Sequence, residues 1–528
     1  MEENQGNFLP KLRPLIRNWE GQYPDLRKMF SRKEIEWLLA KCAKSRTVLS
    51  FVISCGYKDE PDVDQDGKPL LRRTTALHLA RDDAWWLSNW DIIARDFFRI
   101  YDKFDVNYID NEGFTHFHLA CDLGLKEIVE KFLEFGQDPN CLGQSGDIDP
   151  PLHVALDSSR KEVVELLLDR GADPSLTTTE GFTPLHVICK RPLNGDGDDD
   201  MAELFFKIID EKYQTVQIDA RDQWGNTPLI LAVDCKHRNS TEVLLRRGAD
   251  PNIANVEGST PLHIICMSEN DEYEFMQLFF NINKEMKQPL QVDARDKEGR
   301  TPLQWAVANL MPKTFDVLLD NGANLASFVF PTESHFNAGF KYLFCESEQN
   351  FKLRLTSGAR AVVEHLQKRG YELDRSDALT IMAYFAKHGF FDKSANLNEC
   401  WFDDEEFATC AKELMMNSSL SLHDLVQLRS KEAEKRLTYA DYLEFANSYE
   451  FSRVPERCRQ ACAANLCEKL QRIYFRRWAL DFFLELTRQR LPILCCEMII
   501  EELPNEDLYN ICLAIAGRSS AQSIEQLK

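Results

Sequence analysis

The sequence predicts an all-α protein: a solenoid of helix–turn–helix repeats capped at both ends and followed by a C-terminal helical domain. Three observations predict it. One short block recurs seven times between residues 72 and 325. Thr-Pro steps and glycines sit at fixed places around each block, and a second apolar helical pattern follows each one. Beyond about residue 400 the helical pattern continues without the turn signals.

The block reads TTALHLA at 74–80, THFHLAC at 115–121, PPLHVA at 150–155, TPLHVIC at 183–189, TPLILA at 227–232, TPLHIIC at 260–266 and TPLQWA at 301–306. Counted from the Thr position, the starts are 75, 115, 150, 183, 227, 260 and 301. Thr183, Thr227, Thr260 and Thr301 suit a helix N-cap, because the hydroxyl accepts from a first-turn N–H. The proline after each occupies the first helical position, where its missing N–H costs nothing. Gly113, Gly181, Gly225, Gly258 and Gly299 stand two residues before the Thr and permit a tight hairpin tip. Second helices such as EVVELLLDRGADPS (162–175) and TEVLLRRGADPN (241–252) end on a glycine stop. No single unit can bury its apolar face alone, so stacking supplies the core.

This pattern resembles the ankyrin repeat, with its period of about 33 residues and its T-P-L-H-x-A signature. The resemblance covers 72–325 and implies short β-hairpin tips and a protein-binding surface. Residues 1–71 are expected to form an N-terminal helical cap, and 326–395 a degenerate repeat and capping region. The stretches 183–250 and 260–325 resemble each other as pairs, so a two-repeat unit is read as duplicated. Both pairs carry acidic insertions between their helices, NGDGDDD (194–200) and SENDEYE (268–274). These are read as solvated loops, with an acidic ridge for a basic partner as the alternative.

Composition excludes several classes. The 528 residues hold 63 basic and 85 acidic side chains, for a net charge of −22. Such a surface repels phosphate backbones and anionic lipid, so neither nucleic acid nor membrane is an expected partner. No run of about 18 apolar residues exists to span a bilayer. No secretory signal is visible in 1–12. The sixteen cysteines make no CxxC pair and read as free structural thiols, so the expected compartment is reducing, cytoplasm or nucleus. Histidines 78, 118, 153, 186 and 263 fall at one repeat position, which reads as a structural hydrogen-bonding site and not as a metal row. DVDQDG (62–67) opens like a calcium loop, but Arg73 occupies its twelfth position. No metal, cofactor or catalytic constellation is expected: the sequence lacks a phosphate-cradling Gly loop, GxSxG and HExxH.

In the C-terminal segment, 419–428 and 437–445 each open on a Ser or Thr cap with an acid three residues on. YFRRWALDFFLEL (474–486) is apolar on more than one side and reads as a buried helix. Arg472, Arg476, Arg477, Arg488 and Arg490 interleave with it and are read as a solvated face balancing nearby acids. The last motif is LPILCCEMIIEELPNEDLYNICLA (491–514). Pro492 fixes entry to one helix and Pro504 ends it, while Glu506 and Asp507 suit the start of the next.

This motif resembles the start of an F-box. Leu491, Pro492, Ile499, Ile500, Leu503, Pro504, Asp507 and Leu508 fall at the family spacing. A truncated F-box behind ankyrin repeats is similar to the PRANC family of poxviral and some insect proteins, and the likeness covers roughly 400–520 of a helical domain expected at 396–528. It implies docking to the Skp-type adaptor of a cullin ubiquitin ligase.

Two functions are therefore weighed, neither of them enzymatic. In the first, the repeats capture a target protein and the F-box-like helices tether it to the ligase, promoting its ubiquitination. In the second, an IκB-like scaffold sequesters a signalling or transcription factor without recruiting a ligase. For the target surface the tip residues Asp110, Asn111, Glu112, Asp222, Gln223, Trp224, Glu257, Lys297 and Glu298 are the candidates. Trp224 is the expected anchor or, alternatively, packs on its neighbouring hairpin.

Overall fold

A computed structural model describes residues 16–17, 19, 21–41, 46–84, 89–142, 148–192, 200–212, 214–268, 271–339, 347–391 and 401–526. The chain forms two compact units, Met1–Val256 and Glu257–Lys528. Both are built almost wholly of helices, as the repeat pattern predicts.

The first unit opens with short helices Leu26–Met29, Arg32–Lys41 and Arg46–Ser54. They are tied to the first repeat by charge. Arg73 pairs with Glu36 and, at 2.7 Å, with Asp59. Glu36 also accepts from the Ala76 N–H at 2.6 Å, so a side chain on one helix caps the start of another. Five helix pairs follow: Ala76–Ala84 with Trp90–Phe97, His116–Asp122 with Lys126–Glu134, Pro151–Asp157 with Lys161–Asp169, Pro184–Lys190 with Met201–Glu211, and Pro228–Asp234 with Arg238–Arg246.

The caps act as the residue types dictate. Thr115 and Thr227 accept from the backbone N–H three residues on. Thr183 forms a reciprocal box with His186. The tips are single turns, not strands. Asp222 N–H donates to Asn226 O at 3.0 Å, and Ile109 and Thr115 close one isolated antiparallel bridge. Neighbouring tips are linked by backbone bonds: Arg73 N–H to Ile109 O at 2.8 Å and Ile109 N–H to Leu71 O at 2.9 Å, Gln223 N–H to Glu180 O at 2.9 Å, and Val256 N–H to Trp224 O at 2.9 Å.

The second unit holds two more pairs, Pro261–Cys266 with Tyr273–Glu285 and Pro302–Ala308 with Pro312–Asp320. Their tips are joined by Lys297 N–H to Glu257 O at 3.0 Å. At Gly258 two demands coincide. Its φ is +77°, and a Cβ there would lie 2.7 Å from the Lys297 nitrogen.

Around these pairs the helical region is built on a central helix, Glu348–Lys368. It packs against Pro312–Asp320, Tyr439–Asn447 and Glu456–Leu486. The sequence places this helix with the 326–395 cap; its packing ties it equally to the helices beyond 400. A core of Phe407, Leu414, Leu422, Phe451, Cys462 and Leu466 lies here.

The region beyond 400 is not purely helical. Met415–Asn417 and Leu420–Ser421 form a two-stranded hairpin. Its turn is made by Asn417, whose side-chain oxygen accepts from the N–H of Ser419 and of Leu420, each at 2.9 Å. The predicted caps hold: Ser421 accepts from Asp424 N–H, and Thr438 forms a box with Asp441. The helix read from 474–486 is the C-terminal half of Glu456–Leu486, with Tyr474, Phe475, Trp478, Ala479 and Phe482 buried.

Candidate interaction surfaces

The repeat histidines are structural. Thr183 N–H donates to His186 Nδ1 at 3.1 Å, which leaves the ring proton on Nε2, facing Asn226 O at 3.1 Å. His263 repeats this in the second unit, with Thr260 N–H at 3.2 Å and Arg300 O at 3.0 Å. Each ring thus fixes its own helix start and the next tip together. Gln304 does the same with an amide: its oxygen accepts from Thr301 N–H at 2.9 Å and its NH2 donates to Val329 O at 2.9 Å. Burial holds these imidazoles below their ordinary range, His118 and His153 down to about 4.

The predicted tip residues divide into two groups. Asp222 is buried and holds its own turn, accepting from Trp224 N–H at 2.9 Å and Asn226 N–H at 2.8 Å. Asp110 does the same for Glu112 and Phe114. A carboxylate so engaged has little left to offer a partner, so the Asp at this place is turn chemistry. Asn111, Glu112, Gln223 and Trp224 of the first unit are exposed, as are Glu257, Lys297 and Glu298 of the second. Trp224 combines both sequence expectations. It is 43% exposed, and its ring lies 5.7 Å from that of Phe182 on the neighbouring tip.

Two described acids of the insertions bond to neighbouring helices, while Asp200 and Glu274 are exposed. Asp271 accepts from Lys313 N–H and Thr314 N–H, each at 2.9 Å, and so caps the helix Pro312–Asp320. Asp200 pairs with Lys161. Residues 194–199 and 269–270 lie outside the described residues.

The C-terminal motif folds into helix Ile493–Glu502, a break at Leu503 and Pro504, and helix Asn505–Gln526. Its eight predicted residues do not share one face. Ile500 and Leu508 are buried and hold the pair of helices in place; Leu503, Pro504 and Asp507 are half-buried; Leu491, Pro492 and Ile499 are exposed. The reason is helical geometry: Cys496 and Ile500, four apart, take the inward face, so Leu494 and Met498 point to the opposite side. Sequence reasoning missed Ile493, Leu494 and Met498, which are 53%, 68% and 69% exposed. The spacing puts Leu494 and Met498 across the helix from Cys496 and Ile500, but it does not say which of the two pairs is covered. With Leu491 and Ile499 they form an apolar surface of the kind that marks interaction sites.

Of the five arginines read as a solvated face, Arg477, Arg488 and Arg490 are exposed, and two differ from expectation. Arg472 and Arg476 have side chains only 12% and 14% exposed, so they are not a solvated face. Among the described residues no group of His, Cys, Asp and Glu is placed to hold a metal ion, and no helix is long and apolar enough to cross a membrane.

Comparison with known proteins agrees with the repeat geometry. The family model described as ankyrin repeats matches in three copies, at 92–178, 152–255 and 244–328. The chain is 27% identical over 114 residues to human transient receptor potential cation channel subfamily A member 1, covering 22% of this chain and 10% of that protein. It is 32% identical over 133 residues to mouse NF-kappa-B inhibitor delta, covering 25% of this chain and 36% of that protein. The chain thus spans about a tenth of the first relative and about a third of the second. Among solved structures, the ankyrin repeat domain of Bcl-3, a member of the IkappaB protein family, aligns with a TM-score of 0.33 and 23% identity over 40% of this chain and 89% of that one. Residues 92–328 of this chain are ankyrin repeats, an architecture that binds other proteins.

Proposed function

We propose that this chain is a protein-binding adaptor. Its ankyrin repeats capture a target protein, and its C-terminal helices dock to the Skp-type adaptor of a cullin ubiquitin ligase. The observation that supports the second half is the apolar outer face of Ile493–Glu502. Leu494 and Met498 stand well exposed while Ile500, at 2%, holds the helix from behind. A solvent-facing Leu–Met pair one turn apart is the kind of ridge that a partner groove accepts. The mechanism is proximity: a tethered target meets activated ubiquitin at a raised effective concentration.

The test uses the full chain with Leu494→Asp and Met498→Asp, because removing 491–528 would strip helix Asn505–Gln526 from the long helix it packs on. Wild type is expected to co-purify with a purified Skp-type adaptor, and the double variant to lose it with an unchanged melting temperature. No recovery with wild type overturns the ligase reading. A second reading, an inhibitor that sequesters its target, is favoured by the likeness to NF-kappa-B inhibitor delta. It is chosen if target binding persists and the double variant alters nothing in cells.

A further inference from the structure

The long helix Glu456–Leu486 carries three cations on one side: Lys469, Arg472 and Arg476, at spacings of three and four. They line one cleft of about 340 Å³, closed by residues 428–431 on one side and by Glu501 and Glu502 on the other. Like charges at such spacing repel, and here they are also taken out of water.

Their counter-charges fall short. Lys469 is 6% exposed, and its ammonium donates to Val426 O at 2.9 Å and to the side-chain oxygen of Asn465, both neutral. Two of its three protons are used. Burial pushes it down to about 8, and the nearby Glu468 offsets this only in part. Arg476 reaches Glu501 only at 3.7 Å, and that carboxylate is already held by Lys431 at 2.6 Å. Arg472 donates to the main-chain oxygen of Glu501 and meets Glu468 at 3.4 Å. Arg429 stands exposed at the mouth. Five basic residues line the cleft against three acidic ones, Glu468, Glu501 and Glu502, so in a chain of net charge −22 it is a local excess of positive charge.

We propose that this cleft is a binding site for a small, multiply charged phosphate anion, with Lys469, Arg472 and Arg476 as its principal ligands. A phosphate group fits the chemistry. It brings about two negative charges and several acceptor oxygens, which the planar guanidinium forks and the spare ammonium proton match. The cleft has the volume for an inorganic phosphate or diphosphate group.

The test is thermal unfolding of the full chain, with titration calorimetry, in sodium chloride, orthophosphate and pyrophosphate at matched ionic strength. A phosphoserine peptide serves as a fourth arm. Saturable melting-temperature rises of several degrees with the inorganic phosphates and not with chloride are expected. Lys469→Met should melt higher than wild type in chloride, because the buried charge is gone, and should no longer respond to phosphate. Arg472→Gln with Arg476→Gln should abolish binding as well. Equal shifts in chloride, an unchanged response in both variants, no response to either inorganic phosphate, or binding of the phosphopeptide alone would each overturn the proposal. These measurements involve neither target nor ligase adaptor, so they stand apart from the docking test.

Discussion

Acid should loosen the repeats through their histidines, and the size of the effect follows from the structure. His153 is 1% exposed, and its Nε2 faces Phe182 O at 3.0 Å across to the next tip. Burial holds it down to about 4, against an ordinary 6.5. The sign is as follows. The folded state resists protonation, so between those two pH values the unfolded chain binds more protons. The contribution to stability is complete above pH 6.5 and is lost as pH falls towards 4. At pH 5 the loss for this residue is about 2 kcal/mol relative to pH 7.5. Replacing His153 with Gln keeps a donor for Phe182 O and removes the titration, as Gln304 already does at the equivalent place. Urea unfolding from pH 7.5 to 5 should therefore show a shallower fall for His153→Gln, with a difference at pH 7.5 below about 1.5 kcal/mol. Identical pH slopes for the two proteins would refute the argument. His153→Leu, which orphans the Phe182 carbonyl, should cost about 1–3 kcal/mol at pH 7.5, and the deficit should shrink towards pH 5 because this variant also lacks the titration.

Other perturbations separate strain, hydrogen bonding and surface chemistry. Gly258→Ala combines a left-handed backbone with a Cβ 2.7 Å from the Lys297 nitrogen, whereas Gly322→Ala has the same hand of backbone and nothing within 4 Å. Denaturant midpoints should place the first variant about 1–3 kcal/mol below the second. Asp296 accepts from Arg300 N–H at 2.8 Å and from Trp305 Nε1–H at 3.0 Å; Asp296→Ala should cost about 2–4 kcal/mol and alter the Trp305 fluorescence. Leu494→Asp and Met498→Asp should change stability by less than about 0.5 kcal/mol in a thermal melt, because both side chains already face water.

Much of the repeat is legible in the sequence. The Thr caps, the Pro at the first helical position and the tip glycines are local devices, and each acts through residues a few places away along the chain. The assignment of the repeat histidines to structure was also legible, because one position recurring with one side chain implies one hydrogen-bonding task. The hairpin at 415–421 was not, since its turn rests on a single asparagine oxygen and its strands are too short to show alternation.

What the sequence determined is whatever depends on periodicity: which residues form helices, where they stop, and that the repeats stack. The tertiary structure decided which side of a helix meets water. It turned Asp222 inward and left Gln223 and Trp224 out. Along the long helix it buried the aromatics Tyr474 and Trp478 and left Arg472 and Arg476 with side chains only 12% and 14% exposed. It also split the C-terminal motif between a hidden Ile500 and a bare Met498. Exposure depends on what other elements cover, and those elements lie tens of residues away, so no local pattern encodes it.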